Sequence, residues 1–244
     1  MNLEDFFGGR GPVDQFKKLG DSIVIVSSET FVAPKAGKYL VLLSGGGGSG
    51  GAGVDVSGSE GRASGGASGN LSKDEITLAL NENVVVTIGA GGAGVTGSTA
   101  FDVGVSGNAG GSSTFGAYLS ATGGGGGLGG FNNASLAGGV GWIDGGTANV
   151  QPESYIHKVG LHGLSPLAQG SSITGGMSTL YSGGGGASLL SSGTDALFAA
   201  TGSTLDAVLG AGSGGAVDSL YSDSTAVSTG SGGSGFAIVI YLGV

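Results

Sequence analysis

Short stretches of β-branched and apolar residues recur along this chain, and each is bounded by residues that favour turns. Residues 22–26, 30–33 and 38–43 are the first three such stretches, and the segments SSE and PKAG between them are turn signals. Apolar stretches of about four to eight residues between turn signals are typical of β-strands. The beginning of the chain therefore predicts a meander of three strands.

The same pattern predicts further strands later in the chain. Residues 75–80 and 83–88 predict a hairpin whose turn is formed by Asn81 and Glu82. Three more strands are predicted at residues 101–105, 113–121 and 236–242. The last of these, FAIVIYL, is the most apolar stretch of the chain and closes the predicted fold.

Several of these strands lead directly into, or out of, stretches that are nearly pure glycine. The longest uninterrupted run is the pentaglycine at residues 123–127. The other runs are residues 45–53, 89–94, 183–186 and 230–235. Each ordered glycine costs about 0.5–1 kcal/mol relative to alanine, so a folded protein retains such runs only where a side chain does not fit.

The composition favours a folded chain over a disordered one. Glycine supplies 59 of 244 residues, but hydrophobic residues reach 39% and charged residues only 10%, whereas disordered chains combine low hydrophobicity with high charge. Oligoglycine can adopt the polyproline II helix, which has no internal hydrogen bonds and must pair its backbone with neighbouring helices when buried. The strict Gly-X-Y repeat of collagen is absent.

We therefore expect an all-β fold, in which a small antiparallel β-sheet or sandwich is combined with a bundle of packed polyglycine (polyproline II) helices. Residues 21–244 form this glycine-rich domain. A Gly125→Val change is predicted to disrupt folding, because the pentaglycine is a packing element. The glycines predicted to be structural are Gly45, Gly46, Gly47, Gly89, Gly91, Gly123, Gly124, Gly125, Gly126, Gly127, Gly183 and Gly184.

Residues 1–20 differ from the rest of the chain in composition. They hold three of the eight basic residues and the aromatic residues Phe6, Phe7 and Phe16. Two interpretations stay open for this segment: it packs on its own domain, or it is an attachment segment whose three aromatic side chains dock into another protein.

The charge distribution excludes some classes of partner. The net charge is −9, and from Glu75 onward the chain has one lysine, Lys158, against nine acids. A nucleic-acid-binding protein needs Lys and Arg to neutralise phosphates, so we expect no nucleic-acid partner. No apolar stretch is long enough to span a bilayer, which predicts no membrane insertion.

The motifs that suggest a cofactor or catalysis lack their structural context. Residues 48–53 and 89–94 both fit G-x-G-x-x-G, but the helix that a dinucleotide site requires is not predicted after either. Ser49 fits G-x-S-x-G, but nothing except the spacing along the sequence suggests that it could form a catalytic pair with His157. His157 and His162 lack a third ligand signal, so neither a metal nor a cofactor is expected, and the protein is predicted not to be an enzyme.

Aromatic and polar residues between the glycine runs are the remaining candidates for function. Rigid aromatic side chains among Gly, Ser and Asn resemble the composition of antibody binding loops, and aromatic faces beside Asn and Asp also suit sugar rings. Individually, each could instead be a core residue. The candidate receptor-binding residues are Phe131, Asn132, Asn133, Trp142, Asp144, Tyr155, His157, His162, Tyr181 and Tyr221.

The succession of strands and glycine runs resembles a known family. The segments TFVAP and GKYLVLLSGGGGSGG, then VVVTIGAGGAG, SSTFGAYLSATGGGGGLGG and the closing SGGSGFAIVIYL, are similar to the glycine-rich domains of tailed-bacteriophage tail fibre and tail-tip receptor-binding adhesins. The resemblance covers residues 22–244. It implies a polyglycine II bundle with loops at the distal end that contact the bacterial surface.

This resemblance implies a virion protein of the phage tail that is made in the host cytoplasm and acts outside it. Its partners would be a host surface receptor, either a polysaccharide or an outer-membrane protein, and other phage tail proteins; a homotrimer is left open. The alternative is a purely structural component of the baseplate, fibre or capsid. An ice-binding protein would need longer G-x-x repeats, and a depolymerase would need paired carboxylates that do not stand out.

Overall fold

The computed structural model describes residues 22–53, 62–97, 104–130, 173–175, 178–182, 185–186, 188–191, 193–194, 197–199, 202–203, 206–213, 216–218 and 227–244. Within these residues every helix or strand element is a β-strand, and no α-helix occurs. The prediction of an all-β fold is therefore confirmed at this level.

The first sheet joins the two ends of the domain. It contains β1 (Ser22–Ile25), β17 (Phe236–Gly243), β3 (Gly37–Ser44) and β6 (Leu71–Leu78), in that spatial order and with every pair antiparallel. The last strand of the chain is thus an interior strand of this sheet. The predicted closing strand is confirmed, and its pairing on both sides explains its apolar sequence.

The second sheet is also antiparallel and has four strands in chain order. These are β2 (Glu29–Val32), β7 (Asn83–Thr87), β8 (Ser113–Phe115) and β9 (Leu119–Ala121). The two sheets bury one face each against a shared core. In that core the ring of Phe31 lies 6.0 Å from the ring of Tyr39 in the other sheet and 5.7 Å from that of Phe115.

The core follows the alternation that a half-buried strand requires. In β3 the side chains of Tyr39, Val41 and Leu43 are buried, while those between them are more exposed. The same buried cluster includes Val84 and Val86 of the second sheet. The two sheets therefore form a β-sandwich with one continuous hydrophobic core.

Among the described residues, nine short strands lie outside the sandwich. They are β4 (Ala52–Gly53), β5 (Arg62–Ala63), β10 (Gly129–Gly130), β11 (Ile173–Gly175), β12 (Ser178–Ser182), β13 (Leu197–Ala199), β14 (Gly202–Ser203), β15 (Ala216–Asp218) and β16 (Val227–Ser228). They form three small sheets with the orders β10-β5-β12-β11, β13-β15-β4 and β14-β16. Unlike the sandwich, these sheets contain parallel pairs.

The predicted hairpin and the predicted meander are both wrong in their pairing. Strand β6 pairs with β3, whereas β7 pairs with β2 and β8, so the turn at Asn81 and Glu82 crosses between sheets. Two backbone hydrogen bonds tie that turn to Ala33 instead: Asn81 N–H donates to Ala33 O at 2.8 Å, and Ala33 N–H donates to Glu82 O at 2.9 Å. Likewise β1 and β2, although adjacent in sequence, lie in opposite sheets.

Two other strand predictions need adjustment. The stretch at residues 113–121 is two strands, β8 and β9, joined by a turn in which Gly116 has a φ of 52°. That left-handed conformation favours glycine and ends the first strand. Of residues 101–105, only the last two are described, and Val105 forms an isolated antiparallel bridge with Ala52.

Candidate functional site

Six glycine-rich runs continue six strands of the sandwich. Runs A, C and E follow β3, β7 and β9, whereas runs B, D and G lead into β6, β8 and β17. A seventh segment, run F, lies beside them. The runs are defined as A (residues 45–51), B (64–70), C (89–95), D (106–112), E (122–128), F (210–213) and G (229–235).

Hydrogen bonds of run A repeat with a period of three residues. The N–H of Gly45 donates to run B, that of Gly46 to run D and that of Gly47 to run G. The cycle then resumes, because Gly48 donates to run B and Ser49 to run D. The acceptors are, in order, the carbonyl oxygens of Asn70, Gly111, Gly233, Ala67 and Asn108, at 2.8–3.0 Å.

Carbonyl groups of run A face three further runs. The oxygens of Gly46, Gly47 and Gly48 accept hydrogen bonds from run E, run C and run F, respectively. The three donors are the N–H groups of Gly124, Gly92 and Ser213. Run A is thus surrounded by six others, which makes it, and not the pentaglycine within run E, the central segment. The seven hydrogen-bonded runs A to G are together called the bundle.

The packing between runs leaves no room for side chains at most glycines. A Cβ atom placed on Gly46 would lie under 3.0 Å from the carbonyl oxygen of Ala90, and one on Gly47 would lie equally close to that of Ala211. Such separations essentially never occur for real Cβ atoms. The same holds, with backbone atoms of neighbouring runs, for Gly45, Gly89, Gly91, Gly123, Gly124, Gly126 and Gly127.

Gly125 differs from the other predicted structural glycines. It is half-buried and lies three residues from both Thr122 and Leu128, which carry side chains on the same face of run E. A side chain at Gly125 would therefore lie on this face. We expect substitutions at Gly124 and Gly126, and not at Gly125, to disrupt folding. The remaining two predicted structural glycines, Gly183 and Gly184, lie outside the described residues.

Buried serines add side-chain hydrogen bonds between the runs. The hydroxyl of Ser213 accepts a hydrogen bond from the N–H of Gly50 at 2.8 Å and donates to the carbonyl of Gly230 at 2.6 Å. The hydroxyl of Ser49 accepts from the N–H of Asn108 at 2.8 Å. Ser49 is fully buried, so this hydroxyl acts as a structural acceptor in the bundle.

The bundle has two distinct ends. At one end the runs join the sandwich, and at the other they join the small sheets and the bridges Ala52–Val105 and Thr96–Ser228. We call the second end the far end. Four connecting segments begin and finish there, and their residues lie outside the described part: residues 54–61, 98–103, 131–172 and 219–226.

Most of the predicted receptor-binding residues belong to these segments. Phe131, Asn132, Asn133, Trp142, Asp144, Tyr155, His157 and His162 fall within residues 131–172, and Tyr221 falls within residues 219–226; all nine lie outside the described residues. The segment 131–172 leaves from β10 and returns at β11, in one small sheet. Tyr181 lies in β12 of that sheet, where it pairs with Arg62 of β5.

Attachment residues Phe6, Phe7 and Phe16 also lie outside the described residues. The described chain begins at Ser22, which pairs with Ile240. In β17 that position is four residues beyond Phe236, where run G enters the sheet, so Ser22 lies at the end of the sandwich away from the bundle. The described chain consequently begins at the end of the sandwich that is opposite the far end.

Titratable groups of the sandwich form structural contacts. Burial raises the pKa of Tyr39, whose hydroxyl donates to Lys35 O at 2.6 Å. The hydroxyl of Tyr118 donates to the carboxylate of Glu82 at 2.5 Å, which lowers the pKa of Glu82 and raises that of Tyr118. Among the described residues no group of three or more His, Cys, Asp or Glu side chains could hold a metal ion.

Three of the runs around run A, namely B, D and F, are not among the runs that the sequence predicts. Run B falls in a segment that is easily taken for a polar loop, and run D precedes β8 without a long glycine stretch. Their signal is glycine at every third position, as in Gly66 and Gly69 or Gly107 and Gly110. This spacing puts each pair on the same face of a segment that repeats every three residues.

Comparison with known families covers nearly all of the described fold. A family model for a glycine-rich domain matches residues 25–242, from the first strand to the last. No curated protein matches the chain. In the described part of the chain no helix is long and apolar enough to cross a membrane.

Proposed function

This chain belongs to the glycine-rich domain family, and we propose that it is a tail fibre or tail-tip protein of a tailed bacteriophage that binds a receptor on the host surface. It would be made in the host cytoplasm, act outside the cell as part of the virion, and contact other tail proteins. The receptor would be a polysaccharide or an outer-membrane protein. No cofactor or catalytic step is part of this proposal.

The runs are assigned in this proposal to polyglycine II helices. The hydrogen bonds of run A repeat every three residues and reach six surrounding runs, which is what a three-residue helix without internal hydrogen bonds requires. Run B behaves in the same way toward run E, with donors at Ser64, Ala67 and Asn70. A bundle of this kind is a rigid support, because each run is fixed by backbone groups on several sides.

The observation that carries the proposal is that the described residues on both sides of each connecting segment lie at the far end. Residues 54–61, 98–103, 131–172 and 219–226 all connect points at the far end of the bundle, and the described chain begins at the opposite end. Segments held together on a rigid scaffold can vary in sequence without disturbing the core, which is the usual arrangement of binding loops. One end is therefore available for a receptor and the other for the particle.

Aromatic residues of the far-end segments are the proposed contacts with the receptor. Trp142 and Tyr155 lie in the longest segment, among Gly, Asn and Ser residues. Such residues combine rigid apolar area with adaptable hydrogen bonding, and an aromatic face can stack on a sugar ring. Their acidic neighbour Asp144 would accept hydrogen bonds from hydroxyl groups.

Adsorption of virions that carry Trp142→Ala and Tyr155→Ala together tests this proposal. We expect adsorption to host cells to fall at least tenfold, while the far-UV circular dichroism and the melting temperature of the purified protein stay unchanged. Val85→Ala is the matched control, because Val85 is 62% exposed on the sandwich, away from the far end. Its adsorption should equal that of the wild type.

Unchanged adsorption of the double variant would contradict the assignment of these aromatics. If the purified wild-type protein also fails to bind host cells and to block infection, the receptor-binding role itself fails. A purely structural role in the virion would then be the better explanation of the bundle.

A further inference from the structure

We propose that the outer face of the first sheet is covered by residues 1–21 of the same chain. The apolar side chains of this outer face are Val24, Leu40, Leu42, Ile238 and Ile240, on β1, β3 and β17. Lys73 and Glu75 of β6 lie at its edge, beside Leu42 and Leu40. The inference concerns the sandwich alone and does not depend on receptor binding.

The register of the strands puts these five side chains side by side. Ile238 lies between Val24 and Leu42, and Ile240 lies beside Leu40. They alternate with core residues such as Val41 and Val239, so they point away from the sandwich core. All five are half-buried and lie outside the buried core cluster.

An apolar outer face is unusual for an antiparallel sheet. Such sheets commonly have one face on the core and a solvated, polar face on the other side. The outer face of the second sheet is mixed, because Thr30, Thr87 and Thr114 lie on it together with the exposed Val32 and Val85. The continuous apolar stretches YLVLL of β3 and FAIVIYL of β17 instead resemble strands that are covered on both faces.

The place of residues 1–21 in the chain favours them as the segment that covers the outer face of the first sheet. This segment ends beside Ser22, which pairs with Ile240 at the rim of the outer face. Phe16 is six residues before Ser22, and six extended residues reach about 20 Å. Four strands at a spacing of about 4.8 Å are only about 14 Å across, so Phe16 can reach any strand of the sheet.

The apolar residues of this segment and its covalent connection to the sheet also favour residues 1–21. Apolar residues of the segment recur along its length, at Leu3, Phe6, Phe7, Val13, Phe16 and Leu19. Each aromatic side chain can bury roughly 150–250 Å² against an apolar surface. A tethered segment also has an effective concentration of about millimolar at its own sheet, which favours it over a free partner.

Two interpretations are open for the segment 1–20, and this inference favours the one in which it packs on its own domain, with Phe6, Phe7 and Phe16 against the first sheet and not in another protein. Cysteine labelling separates the two because the chain contains no cysteine. Leu42→Cys would report on the outer face of the first sheet. Val85→Cys would report on the exposed outer face of the second sheet.

In the full-length protein we expect a maleimide to label Leu42→Cys at least ten times more slowly than Val85→Cys. Changing Phe6, Phe7 and Phe16 together to Ser should raise the rate at Leu42→Cys toward that at Val85→Cys and leave the latter rate unchanged. Ile240→Cys is a second probe of the same face if Leu42→Cys lowers the melting temperature.

Three results would overturn the proposal. Equal rates at Leu42→Cys and Val85→Cys would show an open face. A slow rate that the three Phe→Ser changes do not alter would show that other residues protect the position. A slow rate that rises on dilution would show that a second copy of the chain covers the face.

Discussion

At the scale of single residues, each glycine of the bundle can be judged by the direction in which a side chain would point. In run E, positions 123 and 126 face run D, and positions 124 and 127 face run B. Thr122 and Leu128, on the third face, carry side chains, and Gly125 shares that face. A run of identical residues therefore contains positions with opposite tolerance to substitution.

Gly124→Ala is expected to destabilise the protein, whereas Gly125→Ala is not. A methyl group on Gly124 meets the carbonyl oxygens of Ala67 and Ser68, and overpacking of this kind costs about 1–3 kcal/mol. The φ of Gly125 is not positive, so alanine there should be neutral or stabilise by up to about 1 kcal/mol through the unfolded chain. Thermal unfolding of the two variants measures the difference.

For a protein of this size we expect Gly124→Ala to lower the melting temperature by roughly 2–12 °C. Equal melting temperatures for the two variants would contradict the orientation of run E.

The carboxylate of Glu82 provides a prediction on pH. The hydroxyl of Tyr118 is the chief cause of the lowered pKa of Glu82 in the folded protein. The ionised carboxylate therefore stabilises the fold fully above the pKa of Glu82 in the unfolded chain, about 4.3, and this stabilisation is lost as the pH falls through the lower pKa of the folded protein. Glu82→Gln should therefore be less stable than the wild type near pH 7, and the difference should shrink in acid. Tyr118→Phe should behave similarly.

Melting temperatures from pH 7 down to pH 3 would measure this dependence. Because Glu82 lies at the surface, the effect should be small. Parallel curves for wild type and Glu82→Gln would show that the contact with Tyr118 contributes nothing.

At the scale of elements, the sequence identifies strands better than it identifies their partners. The alternation in β3, β7 and β17 predicts where strands lie, because burial of every second side chain is a local property. Pairing is not local: β1 bonds to β17, more than 200 residues away, because the last strand inserts between β1 and β3. A polar turn at Asn81 gives no signal that it crosses between sheets.

The glycine runs are likewise easier to identify from the sequence than the segments that pack against them. Long runs such as residues 123–127 are evident in the sequence, but their neighbours are not. Run B and run D carry Ser, Ala and Asn residues, so composition suggests loops. Only the structure shows that these polar residues fit the bundle, where Ser64 and Ser68 are fully buried. The candidate receptor residues, by contrast, remain predictions from composition and resemblance.

Ser213→Ala tests how much a serine bridge stabilises the bundle. Loss of the hydroxyl removes the acceptor of the buried N–H of Gly50, which should cost about 1–3 kcal/mol. Ser234→Ala is the control, since Ser234 is exposed on run G. Urea unfolding of both variants gives the two free energies.

A loss at Ser213→Ala no greater than that at Ser234→Ala would mean that water or a shifted backbone replaces the bridge. The structure favours a real loss, because Ser213 has no exposed surface.

At the scale of the whole molecule, the sandwich and the bundle share their segments. Run A is bonded to runs B, D and G, which lead into β6, β8 and β17. These strands belong to both sheets of the sandwich. Separating the sheets would therefore pull apart the runs that surround run A, and we expect one cooperative unit in place of two independent domains.

Val239→Ala tests this coupling from the sandwich side. Val239 is fully buried in β17, and its truncation should cost about 1–3 kcal/mol. If unfolding is cooperative, Val239→Ala should raise the deuterium-exchange rates of the amides in run A and in β3 by the same factor over the wild type. That factor is about ten for each 1.4 kcal/mol of lost unfolding free energy. Val85→Ala, on the exposed outer face, should leave both rates unchanged. Faster exchange in β3 with an unchanged rate in run A would show that the bundle stays folded when the sandwich opens. The inference that the two ends of the molecule are rigidly connected would then be wrong.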